Sequence, residues 1–350
     1  MRNTFDTVVR VMVFSSVLAF NVLAGGNCLE DFSIFSKEVS GLRDRSKILY
    51  GNLGSNAYVE LGVEARLYGN LKSVGNATLR DRAEIQGDAE TGGTLTRNNQ
   101  TQITGMVTQN SAQAPCFIPE NTNITISSTD ITVNNDQNIT LPPGNYRDFL
   151  VYSRSRVLLK KGVYNFRKFQ LEPDVQVNIL DNAGTEINVQ ENFVLSDRSS
   201  ISFTTASNPN ALKIYTHQEI PLRIGVESKF VGTLTAPRAE VSVASRARII
   251  GKLFGKKVTV EPDVLACNPP KVLGIHHSEG AYGPFFDPNQ VEYSATVSNS
   301  VTQLDLGSDL ERAGDILTIN ETANTNVSFP GDSLKVDFKI VRPVVSGYPA

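Results

Sequence analysis

The chain has 350 residues, with 33 Lys and Arg against 36 Asp and Glu, a net charge of −3. This balance, with no basic stripe interleaved with aromatics, argues against nucleic acid as a partner. Three cysteines, none at zinc-ligand spacing, and no cofactor motif leave no metal or cofactor to expect.

Residues 1–24 read as an export signal. Arg2 and Arg10 flank a charged start, 11–24 is mostly apolar, and Val22 and Ala24 give a small-residue cleavage pattern. That apolar run is too short to cross about 30 Å of hydrocarbon comfortably, so cleavage is expected rather than anchoring. Asn27 stands before Cys28 where a lipoprotein site would carry a small residue. The reading is a secreted or cell-surface protein. About 325 residues would remain after cleavage, enough for a large core or two domains. Cys28, Cys116 and Cys267 leave an odd thiol and three open pairings. Cys116–Cys267 is favoured, and it requires the chain near Cys116 to run back along the molecule.

Segment 25–48 is expected to cap the repeats after it, with Phe32, Ile34 and Phe35 closing an open end. From 49 to 107 the sequence repeats. Gly51, Gly69, Gly87 and Gly105 stand 18 apart, each two residues after Leu49, Leu67, Ile85 or Ile103. A finer period of six runs through Leu53, Val59, Ala65, Leu71, Ala77, Ala83, Ala89, Leu95, Thr101 and Val107. A helix would sweep such positions around every face. A solenoid of short strands stacks them coil upon coil. Glycine once per coil suits a corner needing positive φ or close backbone approach.

Residues 108–141 break the pattern and read as an excursion, with Ile124, Ile126, Ile131, Val133 and Ile139 alternating in surface strands. Order returns at Leu141, with Gly144 and Gly162 again 18 apart. Alternating apolar runs then continue, with more aromatics, to Leu212-Ile214. A last set spans 230–260, where Gly232 and Gly251 are 19 apart. Asn268-Pro269-Pro270 ends the repeats. Residues 269–290 read as a linker and 291–350 as a small β module. The expected fold is all-β: a parallel β-helix with coils of about 18 residues over 49–268, handedness open, plus that module. About a dozen coils at ~4.8 Å each would make a rod near 55–60 Å long.

Several phrases carry a resemblance: Tyr50-Gly51-Asn52-Leu53-Gly54, Pro143-Gly144-Asn145-Tyr146, Gly162-Val163-Tyr164-Asn165-Phe166, Phe230-Val231-Gly232-Thr233-Leu234 and Gly251-Lys252-Leu253-Phe254-Gly255. Over about 30–268 the chain resembles bacterial exported β-helix surface proteins, related to bactofilin-like polymer-forming repeats and to adhesin-like, pilus-associated domains. The resemblance implies a structural or adhesive role at the cell surface and transfers no catalytic residue. The partners it implies are envelope or extracellular polysaccharide, other surface proteins, or further copies of the chain.

Enzymatic readings fit the residues less well. β-helix lyases and hydrolases need clustered acids or calcium with a basic group. Here Asp81, Glu84, Asp88 and Glu90 scatter over the hexads, and Glu64 stacks over Arg82 and Gln100 rather than over another acid. Hexapeptide acyltransferases use a histidine between subunits, and no histidine lies in 49–107. His276-His277 with Glu279 reads as exposed linker, and His217 as surface. Ice binding would need Thr-x-Thr ladders; Thr94-Leu95-Thr96 and Thr233-Leu234-Thr235 occur, but not at coil spacing. The leading expectation is a non-enzymatic surface protein. Carbohydrate-active or carbohydrate-binding protein and self-polymerising filament former are the alternatives.

Overall fold

In this computed structural model the described residues are 28–121, 124–180, 184–204 and 209–268, together with 7 short strands beyond them. The export signal at 1–24 lies outside the described residues. The strands up to Cys267 join in parallel ladders as a β-solenoid of about 12 turns. Inward residues of successive turns stack directly. Leu53, Leu71 and Ala89 form one column, Val59, Ala77 and Leu95 another, and Leu67, Ile85 and Ile103 a third. The sixfold pattern thus marks three faces, each supplying side chains to one continuous core.

One expected member of the third column is displaced. Ile48, not Leu49, pairs with Leu67 and is fully buried. The spacing from Ile48 to Leu67 is 19, while Gly51 to Gly69 stays at 18, so the extra residue falls just before Gly51. A slip of one residue turns a side chain to the opposite face, and Leu49 faces outward, half-buried.

The glycine corner serves both expected purposes. Gly51 has φ +108°, whereas Gly69, Gly87 and Gly105 are needed for space, because a Cβ on each would lie within 2.6 Å of the preceding glycine's carbonyl oxygen. Beside them a polar ladder satisfies the turns. The Asn52 side chain accepts from Asn70 N (3.0 Å), Asn70 from Asp88 N (2.9 Å) and Asp88 from Met106 N (2.8 Å). Gly232 and Gly251, both at positive φ, stack in the same way. Gly162 sits over Pro143 rather than Gly144, since the strand pairing there sets Gly144 opposite Tyr164.

The order of the stack is not the order of the chain. Phe32–Leu42, expected as a cap, lies mid-rod, paired on one side with Arg248–Val260 and on the other with Asn52–Ser55 and Tyr58–Leu61. A narrow wing built from 48–108 extends one way from it. A broad wing built from 131–267 extends the other way. The excursion is shorter than expected, because Ile131–Val133 and Asn138–Leu141 already belong to the broad wing's outermost turn.

Between the wings the chain returns along the outside of the first face. Asn56 clamps the Cys116 backbone with two hydrogen bonds (2.7 and 2.8 Å). Cys116 and Ile118 pack with Leu29, Phe32, Phe35 and Phe254 in a second apolar cluster. Glu120 then pairs with Lys37 and Arg238, and Asn121 reaches Asn188 (2.7 Å). The strap does run back as the favoured disulfide requires, but it joins Cys116 to Cys28, with Cα atoms 5.9 Å apart. Cys267 projects from a different face, next to Ile250, out of reach of Cys116.

Beyond 268 the strands are antiparallel. Val272–His277 pairs with Gln303–Leu310, Ala281–Gly283 with Ser294–Thr296, and Ile316–Ile319 with Phe338–Val341. The first of these begins inside the expected 269–290 linker and contains His276 and His277.

Candidate functional site

Where the second face turns into the third, every described turn puts one non-glycine residue in the left-handed region. Along the rod these are Gln100, Arg82, Glu64, Arg45, Asp263, Arg246, Glu227, Arg198, Asp174, Arg154 and Asp136, all with φ between 57° and 65°. That conformation costs an L-residue roughly 1 kcal/mol or more. The following residue turns inward and is small or Val at most turns. Where it is Ser, its hydroxyl satisfies a carbonyl of the turn, as Ser199 does with Glu172 O (2.7 Å).

From Arg82 onward the signs alternate at every step. Arg82 pairs with Glu64 (2.8 Å), Arg45 with Asp263 (2.8 Å), Arg246 with Glu227 (2.9 Å), Arg198 with Asp174 (2.7 Å) and Arg154 with Asp136 (2.8 Å). The Arg45–Asp263 pair joins residues 218 apart in sequence, so the pattern passes through the junction of the wings unbroken. Hydrogen bonds from the arginines hold the Asp136, Asp174 and Asp263 carboxyls below their ordinary range. On the broad wing Arg147 does the same to Asp130, bringing it to about 2. Exposed pairs of this kind add little individually, about 0–1 kcal/mol. What the alternation supplies is register, since a shift by one turn would oppose like charges.

The residues singled out for chemistry do not converge. Asp81, Glu84, Asp88 and Glu90 fall on separate corners and faces. Thr96 stacks on Thr78, but Glu60 follows Thr78, and Thr233-Leu234-Thr235 lies on another face. No Thr ladder forms along either run. His217 is half-buried beyond the strand Leu212–Thr216. Among the described residues no group of three or more His, Cys, Asp or Glu is placed to hold a metal ion. No helix among them is long and apolar enough to cross a membrane.

Two features escape inspection of the sequence. The Glu64–Arg82–Gln100 stack is legible from its 18-residue spacing, but its continuation into Arg45–Asp263 depends on the mid-rod strand. On the first face of the broad wing, Asn145, Asn165 and Asn188 form a side-chain ladder (2.7 and 3.0 Å) that Asn121 of the strap extends. Its members are unequally spaced in sequence, and only the strand pairing aligns them.

No family model and no curated protein matches the sequence. Among solved structures the chain is similar to an ice-binding protein from an Antarctic biological consortium, at 10% identity and TM-score 0.33, covering 76% of this chain and 96% of that one. It is similar to one from the Antarctic ascomycete Antarctomyces psychrotrophicus, at 13% and 0.35, covering 67% and 93%. A third is a glycosylated ice-binding protein from an Arctic yeast, at 15% and 0.33, covering 68% and 91%. At such TM-scores these likenesses say nothing about what the present chain binds.

Proposed function

We propose that this chain is an exported, non-enzymatic structural or adhesive protein of the cell surface, with the solenoid as its spacer. The observation that supports this is the state of its carboxylates. Seven carboxyl groups, Glu120, Asp130, Asp136, Asp148, Asp174, Asp197 and Asp263, are held below the ordinary carboxylate range. Each of the seven accepts a hydrogen bond from an arginine side chain. General acid catalysis, which the competing glycan-cleaving reading needs, calls for a carboxyl pushed upward beside a second one. Here these seven acids are spread along the rod, and each is held by a guanidinium group. Antibody labelling of intact cells tests the location, and incubation with a polysaccharide panel tests the inertness. Surface labelling without glycan cleavage is expected; release of reducing ends would overturn the reading.

A second reading, end-to-end self-association, is favoured by the narrow wing's tip. Val107 faces inward by register over Ala89, yet it is 41% exposed, and Met106 beside it is 73% exposed. The far tip is covered in part by Tyr146, whose ring stacks on Phe166 (5.4 Å) and whose hydroxyl donates to Pro142 O. Concentration-dependent filaments that vanish in Val107→Asp would establish association; a monomer at all concentrations would exclude it.

A further inference from the structure

Two residues past each charged corner, the third face presents an outward column. Four of five consecutive turns there carry a cation: Arg66, Lys47, then Leu265, then Arg248 and Lys229. Arg66 leans on Glu84 (3.4 Å). Lys47, Arg248 and Lys229 have no carboxylate within 4.0 Å among the described residues, and Arg248 and Lys229 are exposed. The adjoining corner cancels its own charge pair by pair, so this row is not neutralised locally. It is a basic stripe on a chain of net charge −3. Composition conceals it because its members come from opposite ends of the sequence.

Beside these cations stands a second outward column. Tyr68 and Leu49 lie just past the short strands Arg66–Leu67 and Lys47–Ile48, and Ile250 lies within Arg248–Val260; all three are half-buried, Ile250 packs in part against the core, and Val231, two residues after Lys229, is fully buried. The phrases Arg66-Leu67-Tyr68, Lys47-Ile48-Leu49 and Arg248-Ile249-Ile250 therefore repeat a cation with a half-buried apolar side chain next to it, a unit that Lys229-Phe230-Val231 does not complete.

We propose that this face binds a linear anionic glycan, bearing carboxylate or sulfate groups, laid along the rod axis. The inference rests on the reading of the chain as an exported surface rod. A straight row of cations in steps of ~4.8 Å, interrupted once at Leu265, addresses a polymer of repeated anions, not a small molecule, which would need converging donors. The apolar column offers a platform to the C–H faces of sugar rings. Nucleic acid is the less suited polymer, because single strands need a series of aromatic platforms and the second column is mainly aliphatic.

The test uses the full secreted chain with four probes: polygalacturonate, dextran sulfate, neutral dextran and duplex DNA. Retention on the two acidic glycans is expected, with release in about 0.5 M salt. Lys47→Gln with Arg248→Gln should weaken binding about tenfold or more through the lost charge contacts. Lys72→Gln with Lys168→Gln, the same change in charge on the other two faces, should bind like wild type. Lys229→Glu, at an exposed position, gives a second reading of the same effect should the double variant fold poorly. Equal binding by both double variants, or equal retention on neutral dextran, would overturn the proposal. Tighter binding of DNA would replace the glycan with nucleic acid. Glycan binding by purified protein that is absent from the cell surface would refute the location alone and leave the binding face standing.

Discussion

From Ile48 to Leu95 the rod is filled by Leu, Ile and Ala, with Ala65, Ala77, Ala83 and Ala89 fully buried. From Phe149 to Phe230 it is filled around aromatics: Phe149 lies 5.0 Å from Phe169, which stacks on Phe193 at 5.4 Å. In the narrow wing paired residues stand 18 or 19 apart; in the broad wing they stand 18 apart at Ile139 and Val157, 20 at Val157 and Val177, and 24 at Val177 and Ile201. The two wings differ in regularity as well as in the size of their core side chains. The narrow wing keeps its period and buries less per turn. The broad wing buries more and loses the period.

Substitutions separate the wings by size of effect. Ile85→Asp buries a lone carboxylate in the narrow core, and we expect a loss above about 4 kcal/mol in chemical denaturation. Limited proteolysis of that variant should cut within 49–108 first. Phe169→Ala opens a cavity in the aromatic stack and should cost about 3–5 kcal/mol. Ala83→Leu overfills a turn with no slack, for about 1–3 kcal/mol. Val107→Asp, inward by register but at the open tip, should stay within about 0.5 kcal/mol in the monomer. If it costs as much as Ile85→Asp, something covers the narrow tip.

A similarly small effect concerns the charged corner shared by both wings. Its aspartates have folded pKa values below the unfolded 3.8, so their stabilisation is present above that pH and is lost as pH falls through the folded values. The melting temperature in dilute salt should drop between pH 5 and pH 3, and salt should flatten the drop. Arg198→Ala alone should barely move the unfolding midpoint, because its pair with Asp174 is exposed.

The difference between the wings also decides what is legible in the sequence. Hexads reveal the fold and the stacked glycines because the narrow wing's coils are nearly equal in length. Leu49 drops out of its expected column because one extra residue enters just before Gly51, and a period cannot show where an insertion sits. Phe32, Ile34 and Phe35 look like a cap because they precede the repeats; nothing local says that Arg248–Val260 will pair with them. The disulfide follows the same course: the returning strap is foreseeable, while its partner depends on where the first strand lies. The basic column on the third face is invisible for that reason too, since Lys47 and Arg248 become near neighbours only across the junction.

That junction sets the order of the whole rod, and one distance tests it. In a stack that follows chain order, Gln100 and Asp136 would sit on neighbouring turns. In the observed order they end the corner column at opposite tips, ten steps apart along it, or about 48 Å at ~4.8 Å per step. Spin labels at Gln100→Cys and Asp136→Cys, with Cys267→Ser, measure this directly by pulsed dipolar spectroscopy. A narrow distribution centred between about 40 and 55 Å is expected, allowing for the label arms; a distance below about 20 Å would contradict the order of the stack and everything drawn from it.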